Sequence, residues 1–202
     1  FLDLRPISFP EFLDAVGESR YRALIDKKSD AEPFPEAFHE DLLDLLKIYY
    51  FVGGMPEAVE CYAKNRHFSE VRTIQNEILN AYVLDFAKHA PHQDIPKLMQ
   101  VWDSIPAQLA RENRKFQFAA LKSTARARDY GNAILWLENA GLILRCFLIT
   151  KPGQPLTAYA DPSSFKVYAL DIGLLGAMAR ISPEILVHGH VLFQEFKGAT
   201  HK

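Results

Sequence analysis

Apolar residues recur three and four positions apart along most of this sequence, which is the spacing of one face of a helix. The pattern is clearest over residues 38–49, 71–86 and 98–109. Gly53 and Gly54 are predicted to end one helix, and Pro56 is predicted to begin the next. Pro106 interrupts the third stretch and is predicted to kink or split its helix after Ser104. The sequence therefore predicts a mainly helical protein.

Residues 115–161 carry a different pattern, which predicts a winged helix-turn-helix. Phe116 and Phe118 alternate with Gln117 as a brief strand, and residues 119–122 favour a short helix. A second helix is predicted over residues 126–142, closed by Gly141, with Tyr130 on its apolar face. This is the candidate recognition helix of the motif. The apolar stripe along it comprises Tyr130, Ala133, Ile134, Leu137 and Ala140.

Two β-rich segments follow the candidate recognition helix. LILRCFLIT precedes the turn-forming residues KPGQP, and LTAYA comes after them, so the pair predicts a hairpin that would form the wing. Residues 165–170 are predicted to form a further strand, Asp171 an N-cap, and residues 172–180 a short helix. The predicted fold is mainly α, with a helical N-terminal half followed by a winged helix-turn-helix with a β-hairpin wing.

This pattern divides the chain into three predicted segments. Residues 1–92 form a helical segment, residues 93–180 the winged-helix domain, and residues 181–202 a weakly patterned tail. The first residues, FLDL, are interpreted as the end of a strand from another domain, and the absence of an initiator Met favours a piece of a longer protein.

Composition supports a globular protein with an uneven charge distribution. The 202 residues are 49% hydrophobic and 24% charged, with no run long enough to span a membrane. Residues 1–60 carry 13 acidic and 6 basic residues, whereas residues 91–202 carry 9 acidic and 13 basic residues. The two cysteines, Cys61 and Cys146, are far apart and favour a reducing, cytoplasmic location. No membrane partner is expected.

The basic residues of the second half cluster around the turn into the candidate recognition helix. If this helix contacts duplex DNA, the cationic side chains are predicted to reach phosphates, and Arg128 or Asn132 a base edge. The alternative is that the strip is solvated or contacts a protein, because helix-turn-helix geometry does not by itself establish DNA binding. The predicted contact residues are Arg114, Lys115, Lys122, Arg126, Arg128 and Asn132.

Catalytic and metal-binding signals are weak in this sequence. His188 and His190 flank a glycine without a third fixed ligand, which is more typical of a loop than of a metal centre. Asp85 and His89 lie four positions apart, the spacing of an ordinary surface ion pair. No nucleophile elbow or G-x-x-x-x-G-K-[ST] loop is present. The chain itself is predicted to be non-catalytic, with no cofactor or metal of its own.

Seven blocks in order carry a resemblance to a known family. They are LRPISFPEFL, YYFVGGMPEAV, IQNEILNAYVLDFAKHA, SIPAQLARENRKFQFAAL, ARARDYGNAILWLENAGLI, KPGQPLTAYAD and FKVYALDIGLL. Together they resemble the C-terminal region, domain of unknown function 4143, of prokaryotic P-loop ATPases of the AAA type. The resemblance covers nearly the whole chain. It implies an N-terminal ATPase core before Phe1 that binds ATP and Mg, and a nuclease-like segment after the block LFQEFKGA.

Three functions follow from these observations as hypotheses. The first is a non-catalytic lid or interaction module of an AAA-type ATPase, whose partners are the ATPase core and either duplex DNA or another protein. The second is a freestanding winged-helix transcriptional regulator that binds DNA. The third is a nuclease-like enzyme beginning after Val191, which lacks the downstream acidic residues needed to hold Mg²⁺.

Overall fold

The computed structural model describes residues 5–28, 33–110 and 115–184. The described chain is mainly helical and contains a two-stranded antiparallel sheet, which confirms the predicted fold class at this level. The helices are α1 Phe9–Ala15, α2 Ser19–Lys27, α3 Glu36–Val52, α4 Pro56–Asn65, α5 Phe68–His89, α6 Ile95–Leu109, α7 Ala127–Asn139 and α8 Ile172–Met178. The strands are β1 Ile143–Ile149 and β2 Ala160–Ala169.

The chain divides into two compact units. Unit 1 contains residues 1–79 and 171–189, and unit 2 contains residues 80–170 and 190–202. The three segments predicted from the sequence stay a prediction, because compactness does not establish which part folds alone. Predicted features at residues 1–4 and 185–202 lie outside the described residues. No helix in the described ranges is long and apolar enough to cross a membrane.

Unit 1 begins with the capping box at the start of α1. The Glu11 carboxylate accepts hydrogen bonds from the backbone N–H and the hydroxyl of Ser8, at 2.8 and 2.6 Å. This arrangement orients α1 so that Phe12 and Leu13 are fully buried. The Phe12 ring lies 5.4 Å from Tyr49 of α3, centroid to centroid. The main core of unit 1 comprises Phe12, Val16, Phe51, Val52, Ala58, Val59, Tyr62 and Val71.

Helix α6 of unit 2 continues through Pro106, so the predicted split after Ser104 is wrong. Proline in a helix interior costs about 3 kcal/mol, because one backbone hydrogen bond is missing and the ring crowds the preceding turn. Each buried apolar side chain contributes about 1.5–3 kcal/mol, and several on the same face of α6 outweigh that cost. The buried apolar residues of α6 are Leu98, Val101, Trp102, Ile105 and Leu109.

The segment before α7 differs from its prediction. Phe118 to Ala120 forms a 3-10 helix and Phe116 and Gln117 lie in no strand, so the predicted strand over Phe116–Phe118 is wrong. The Phe116 backbone N–H donates to the sheet, reaching the Phe165 carbonyl of β2 at 2.8 Å. The Phe116 ring stacks on Phe165 at 5.7 Å and meets Phe118 edge-on at 5.0 Å. One backbone hydrogen bond and the packing of three aromatic rings therefore attach this segment to β2 without a third strand.

The hairpin after α7 pairs different residues from those predicted. β1 lies antiparallel to β2, with Ile143 opposite Ala169 and Phe147 opposite Phe165. The segment LTAYA, predicted to be the returning strand, is mostly a 3-10 helix over Leu156–Tyr159, and β2 begins only at its last residue. The predicted strand at residues 165–170 corresponds to the second half of β2. The register shifts between Phe147 and Leu148, which accommodates the extra residues of β2.

Candidate nucleic-acid interface

Helix α7 presents one buried and one exposed face. Arg126 is extended at the N-cap, and its backbone N–H donates to the Asp129 carboxylate at 3.3 Å. Gly141 ends the helix with a φ of +74°, and the Leu142 N–H donates to the Leu137 carbonyl at 3.0 Å. The buried residues are Tyr130, Ala133, Ile134 and Leu137, which confirms four positions of the predicted apolar stripe. Its fifth position, Ala140, is wrong, because it lies beyond the last residue of α7 and is exposed.

Hydrogen bonds to α6 hold α7 and the segment before it in place. The Tyr130 hydroxyl donates to the Gln100 side chain at 2.5 Å. The Gln108 side chain donates to the Gln117 carbonyl at 2.9 Å and accepts from the Gln117 N–H at 3.0 Å. The side-chain amide of Gln108 thus forms the pair of hydrogen bonds that a neighbouring strand would form. Both polar atoms of this buried side chain therefore have partners. Sequence reasoning missed Gln108, because it lies among the apolar residues of α6 without any motif.

The predicted contact residues are exposed where the structure describes them. Lys115, Lys122, Arg126, Arg128 and Asn132 are all largely open to solvent. Lys122 and Arg126 lie at the turn into α7, Arg128 in its first turn, and Asn132 one turn further along the same face. Their role as contacts stays a prediction. Arg114 lies outside the described residues.

Little of this positive charge is neutralised by neighbouring carboxylates. Arg128 Nε lies 3.7 Å from Asp129 Oδ1, and both side chains are well exposed, so the pair is weak. Asp161 has a pKa below its usual value, mainly because Ser163 donates two hydrogen bonds to it, and Lys115 adds to this effect. Among the described residues, no carboxylate forms an ion pair with Lys122 or Arg126. These side chains are therefore available to phosphate.

The second half of α7 borders a cleft that sequence reasoning missed. Its walls comprise Pro91, Asp94, Asn132, Leu135, Trp136 and Asn139. The spacing of the four α7 residues places them on one side of the helix, beside the buried stripe. The spacing of Asn132, Leu135, Trp136 and Asn139 was the sequence signal that could have indicated a surface cleft here. Asp94 gives the cleft a negative charge, unlike the basic turn at the start of the same helix.

Unit 1 contains a buried polar cluster around the Gly53-Gly54 turn. The Gln75 side chain donates to the carbonyls of Phe51 and Val52, both at 2.9 Å. The Arg72 guanidinium lies 4.3 Å from the centroid of the Phe51 ring and donates to Gln75 Oε1 at 2.8 Å. Burial lowers the pKa of Arg72 to about 10. The cluster satisfies the carbonyls at the end of α3, so its role is structural.

Asp171 completes this cluster and is the N-cap predicted from the sequence. Its side chain accepts from the Leu174 N–H at 2.9 Å and from the Gly54 N–H at 2.6 Å. Burial raises the pKa of the carboxyl, while these backbone N–H groups oppose the change. Each carboxylate oxygen thus accepts a backbone hydrogen bond in a buried position, which indicates a structural role. The described residues contain no group of three or more His, Cys, Asp or Glu that could hold a metal ion.

A family model described as "Domain of unknown function (DUF8612)" matches residues 43–185, more than half of the chain. The expected resemblance to domain 4143 of AAA-type ATPases is therefore wrong, since the matching family is neither that domain nor another AAA-associated family. Much of the quoted blocks consists of apolar helical stripes and of glycine and proline residues that end or begin helices. These features are common to many helical proteins and do not identify a family. Neither a curated protein nor a solved structure matches the sequence.

Proposed function

The chain belongs to the family DUF8612, whose description assigns no activity, and we propose from the geometry of unit 2 that this unit is a winged-helix domain that binds duplex nucleic acid. The ATPase core, ATP and Mg implied by the resemblance to domain 4143 have no place in this proposal. The role is one of binding, not catalysis. A freestanding transcriptional regulator would use the same surface in the same way.

The order of elements in unit 2 supports the winged-helix assignment. α6, the 3-10 helix Phe118–Ala120, α7, β1 and β2 follow one another in the sequence. The hydrogen bond from Phe116 to Phe165 attaches the segment before the 3-10 helix to β2. β1 and β2 then extend as a hairpin beyond α7. This order matches the helix, short extended segment, helix, recognition helix and wing of the motif.

A single observation carries the nucleic-acid proposal: the turn that enters α7 is basic, exposed and largely unpaired. Residues 115–128 contain four Lys or Arg residues and no Asp or Glu. The N-terminus of α7 adds the positive end of the helix dipole, part of which the Asp129 carboxylate neutralises by accepting from the Arg126 N–H. In helix-turn-helix proteins the N-terminal residues of the recognition helix reach base edges, which is the position of Arg128 here.

The proposal is tested by measuring the affinity for duplex DNA over a range of salt concentrations. The double variant Arg126→Ala, Arg128→Ala should retain its fold, because both side chains are exposed. The slope of log affinity against log salt should flatten by roughly 0.9 for each phosphate that the variant no longer neutralises. The matched control is Lys27→Ala, Lys88→Ala, which removes the same charge from exposed positions elsewhere. An equal change in both variants, or no affinity of the native chain at low salt, would reject the proposal.

The exposed hairpin favours a protein partner as the second candidate. Leu144 and Leu148 of β1 are 56% and 54% exposed, and Ile149 and Leu156 add further apolar area. Phosphate groups gain nothing from such a surface, whereas a protein that covers it removes apolar area from water. If the native chain has no affinity for DNA, Leu144→Ser, Leu148→Ser should abolish partner binding while Arg126→Ala, Arg128→Ala leaves it unchanged.

A further inference from the structure

The cleft beside α7 is large enough to hold one side chain. Its volume is about 230 Å³, whereas a water molecule in the liquid occupies about 30 Å³. Trp136 and Leu135 supply its apolar wall, and Pro91 lies at its edge. Leu135 remains 46% exposed, so the cleft opens to solvent along the helix.

Three polar side chains line this cleft without a partner elsewhere in the described residues. Asp94 occupies the N-cap position of α6, but its side chain makes no capping hydrogen bond. Asn132 and Asn139 also form no side-chain hydrogen bond within the described ranges. Polar side chains that lack internal partners and face one cleft have unused hydrogen-bonding capacity. A ligand with several donors would use it.

The charge of the cleft determines what kind of ligand fits. Asp94 carries a full negative charge, while the N-terminus of α6 contributes only about half a positive charge. The face of an indole, here Trp136, also attracts cations. An anionic group such as phosphate would be repelled by Asp94, whereas a cation would be attracted to both groups.

We propose that this cleft binds the guanidinium group of an arginine side chain in a protein partner. A planar guanidinium can stack on Trp136 while its N–H groups donate to the Asp94 carboxylate and to the amide oxygens of Asn132 and Asn139. An ammonium group has fewer donors and no planar face to stack. The open apolar edge at Leu135 and Pro91 accommodates the residues that flank the arginine. The cleft shares Asn132 with the predicted DNA-contact residues but includes neither Arg126 nor Arg128.

The test titrates the full chain with blocked pentapeptides, observed by nuclear magnetic resonance. Gly-Gly-Arg-Gly-Gly should shift the indole N–H signal of Trp136 and the side-chain amide signals of Asn132 and Asn139. Trp102 is an internal control, because it is buried in the core of unit 2. The same peptide with citrulline has the same shape without the charge, and should bind at least about tenfold more weakly.

Two variants distinguish the effect of the Asp94 charge on peptide affinity from an effect on the fold. Asp94→Asn keeps the shape and an equally good N-cap residue, and should weaken the arginine peptide by about tenfold. Asp85→Asn makes the same charge change at an exposed position of α5, and should leave affinity unchanged. Equal affinity for the citrulline peptide, or an unchanged affinity of Asp94→Asn, would overturn the proposal. So would equal affinity for free arginine amide, which indicates a small-molecule site, or matching shifts of the Trp136 and Asn139 signals caused by duplex DNA, which is expected to contact Asn132 alone among these residues.

Discussion

The Asp171 carboxylate accepts a 2.6 Å hydrogen bond from the backbone N–H of Gly54, although 117 positions separate the two residues. The other oxygen of this carboxylate caps α8 through the Leu174 N–H. One buried side chain therefore joins the turn after α3 to the start of α8. Asp171 is only 4% exposed, so water cannot replace either hydrogen bond.

Replacement of Asp171 by alanine should destabilise the protein by about 2–4 kcal/mol, because it removes a helix cap and leaves the buried Gly54 N–H without an acceptor. Asp171→Asn should cost less, since its remaining oxygen can still accept from Leu174. Urea unfolding followed by circular dichroism measures both changes. Asp85→Ala, at an exposed site, should change stability by no more than about 0.5 kcal/mol. A loss of that small size in Asp171→Ala would show that the carboxylate is not required.

Alanine at Gly53 should be strongly destabilising, whereas alanine at Gly131 should be stabilising. A Cβ at Gly53 would lie 2.3 Å from Asp171 Oδ1, and the backbone φ of +75° disfavours any side chain. At Gly131, an exposed helical position, nothing lies within 4 Å of the added Cβ. There the change should raise stability by about 0.5–1 kcal/mol through helix propensity. Thermal unfolding of the two variants should move the midpoint in opposite directions.

Tyr49 should make the protein less stable at alkaline pH. Its hydroxyl donates to the Ile7 carbonyl at 2.8 Å, and burial, followed by the nearby Asp171 charge, raises its pKa to about 12. The phenol ionises near pH 10 in the unfolded chain, so its contribution is complete below pH 10 and declines as the pH rises toward about 12. Unfolding measured between pH 9 and 11 should show a smaller decline in Tyr49→Phe than in the native chain. An equal decline in the stability of both proteins would exclude Tyr49 as the source of the pH dependence.

The ion pair between Arg145 and Glu138 should contribute measurably to stability. Arg145 Nε donates to Glu138 Oε2 at 2.8 Å, and the guanidinium carbon lies 5.2 Å from the centroid of the Phe147 ring. The side chains are only 22% and 28% exposed, which reduces screening by water. A double-mutant cycle with Arg145→Met and Glu138→Gln should give a coupling of about 1 kcal/mol.

The exposed ion pair between Arg128 and Asp129 provides the comparison for this double-mutant cycle. Arg128 and Asp129 are 76% and 44% exposed and 3.7 Å apart, so their cycle should give a coupling close to zero. If both cycles give the same coupling, burial does not strengthen the Arg145 pair. Chemical denaturation with a fluorescence or circular dichroism readout is sufficient for all the variants.

Much of the helical framework was determined by the sequence alone, because it depends on local interactions. The capping box at Ser8, the stop at Gly53, the N-cap at Asp171 and the buried stripe of α7 all involve residues within a few positions of each other. Their chemistry is visible in the order of the residues. The exposure of Arg128 and Asn132 also followed, since they lie away from the apolar stripe of the same helix.

Tertiary structure decided the features that depend on distant partners. Packing of the buried face kept α6 intact through Pro106, and pairing with β1 moved the returning strand from LTAYA to β2. Asp171 acquired Gly54 as a partner, and Asp94 and Asn139 came to line the same cleft, only after the chain had folded within each unit. These contacts join residues that no periodicity connects. Their energies arise from burial and from hydrogen bonds between elements, which the order of residues does not specify.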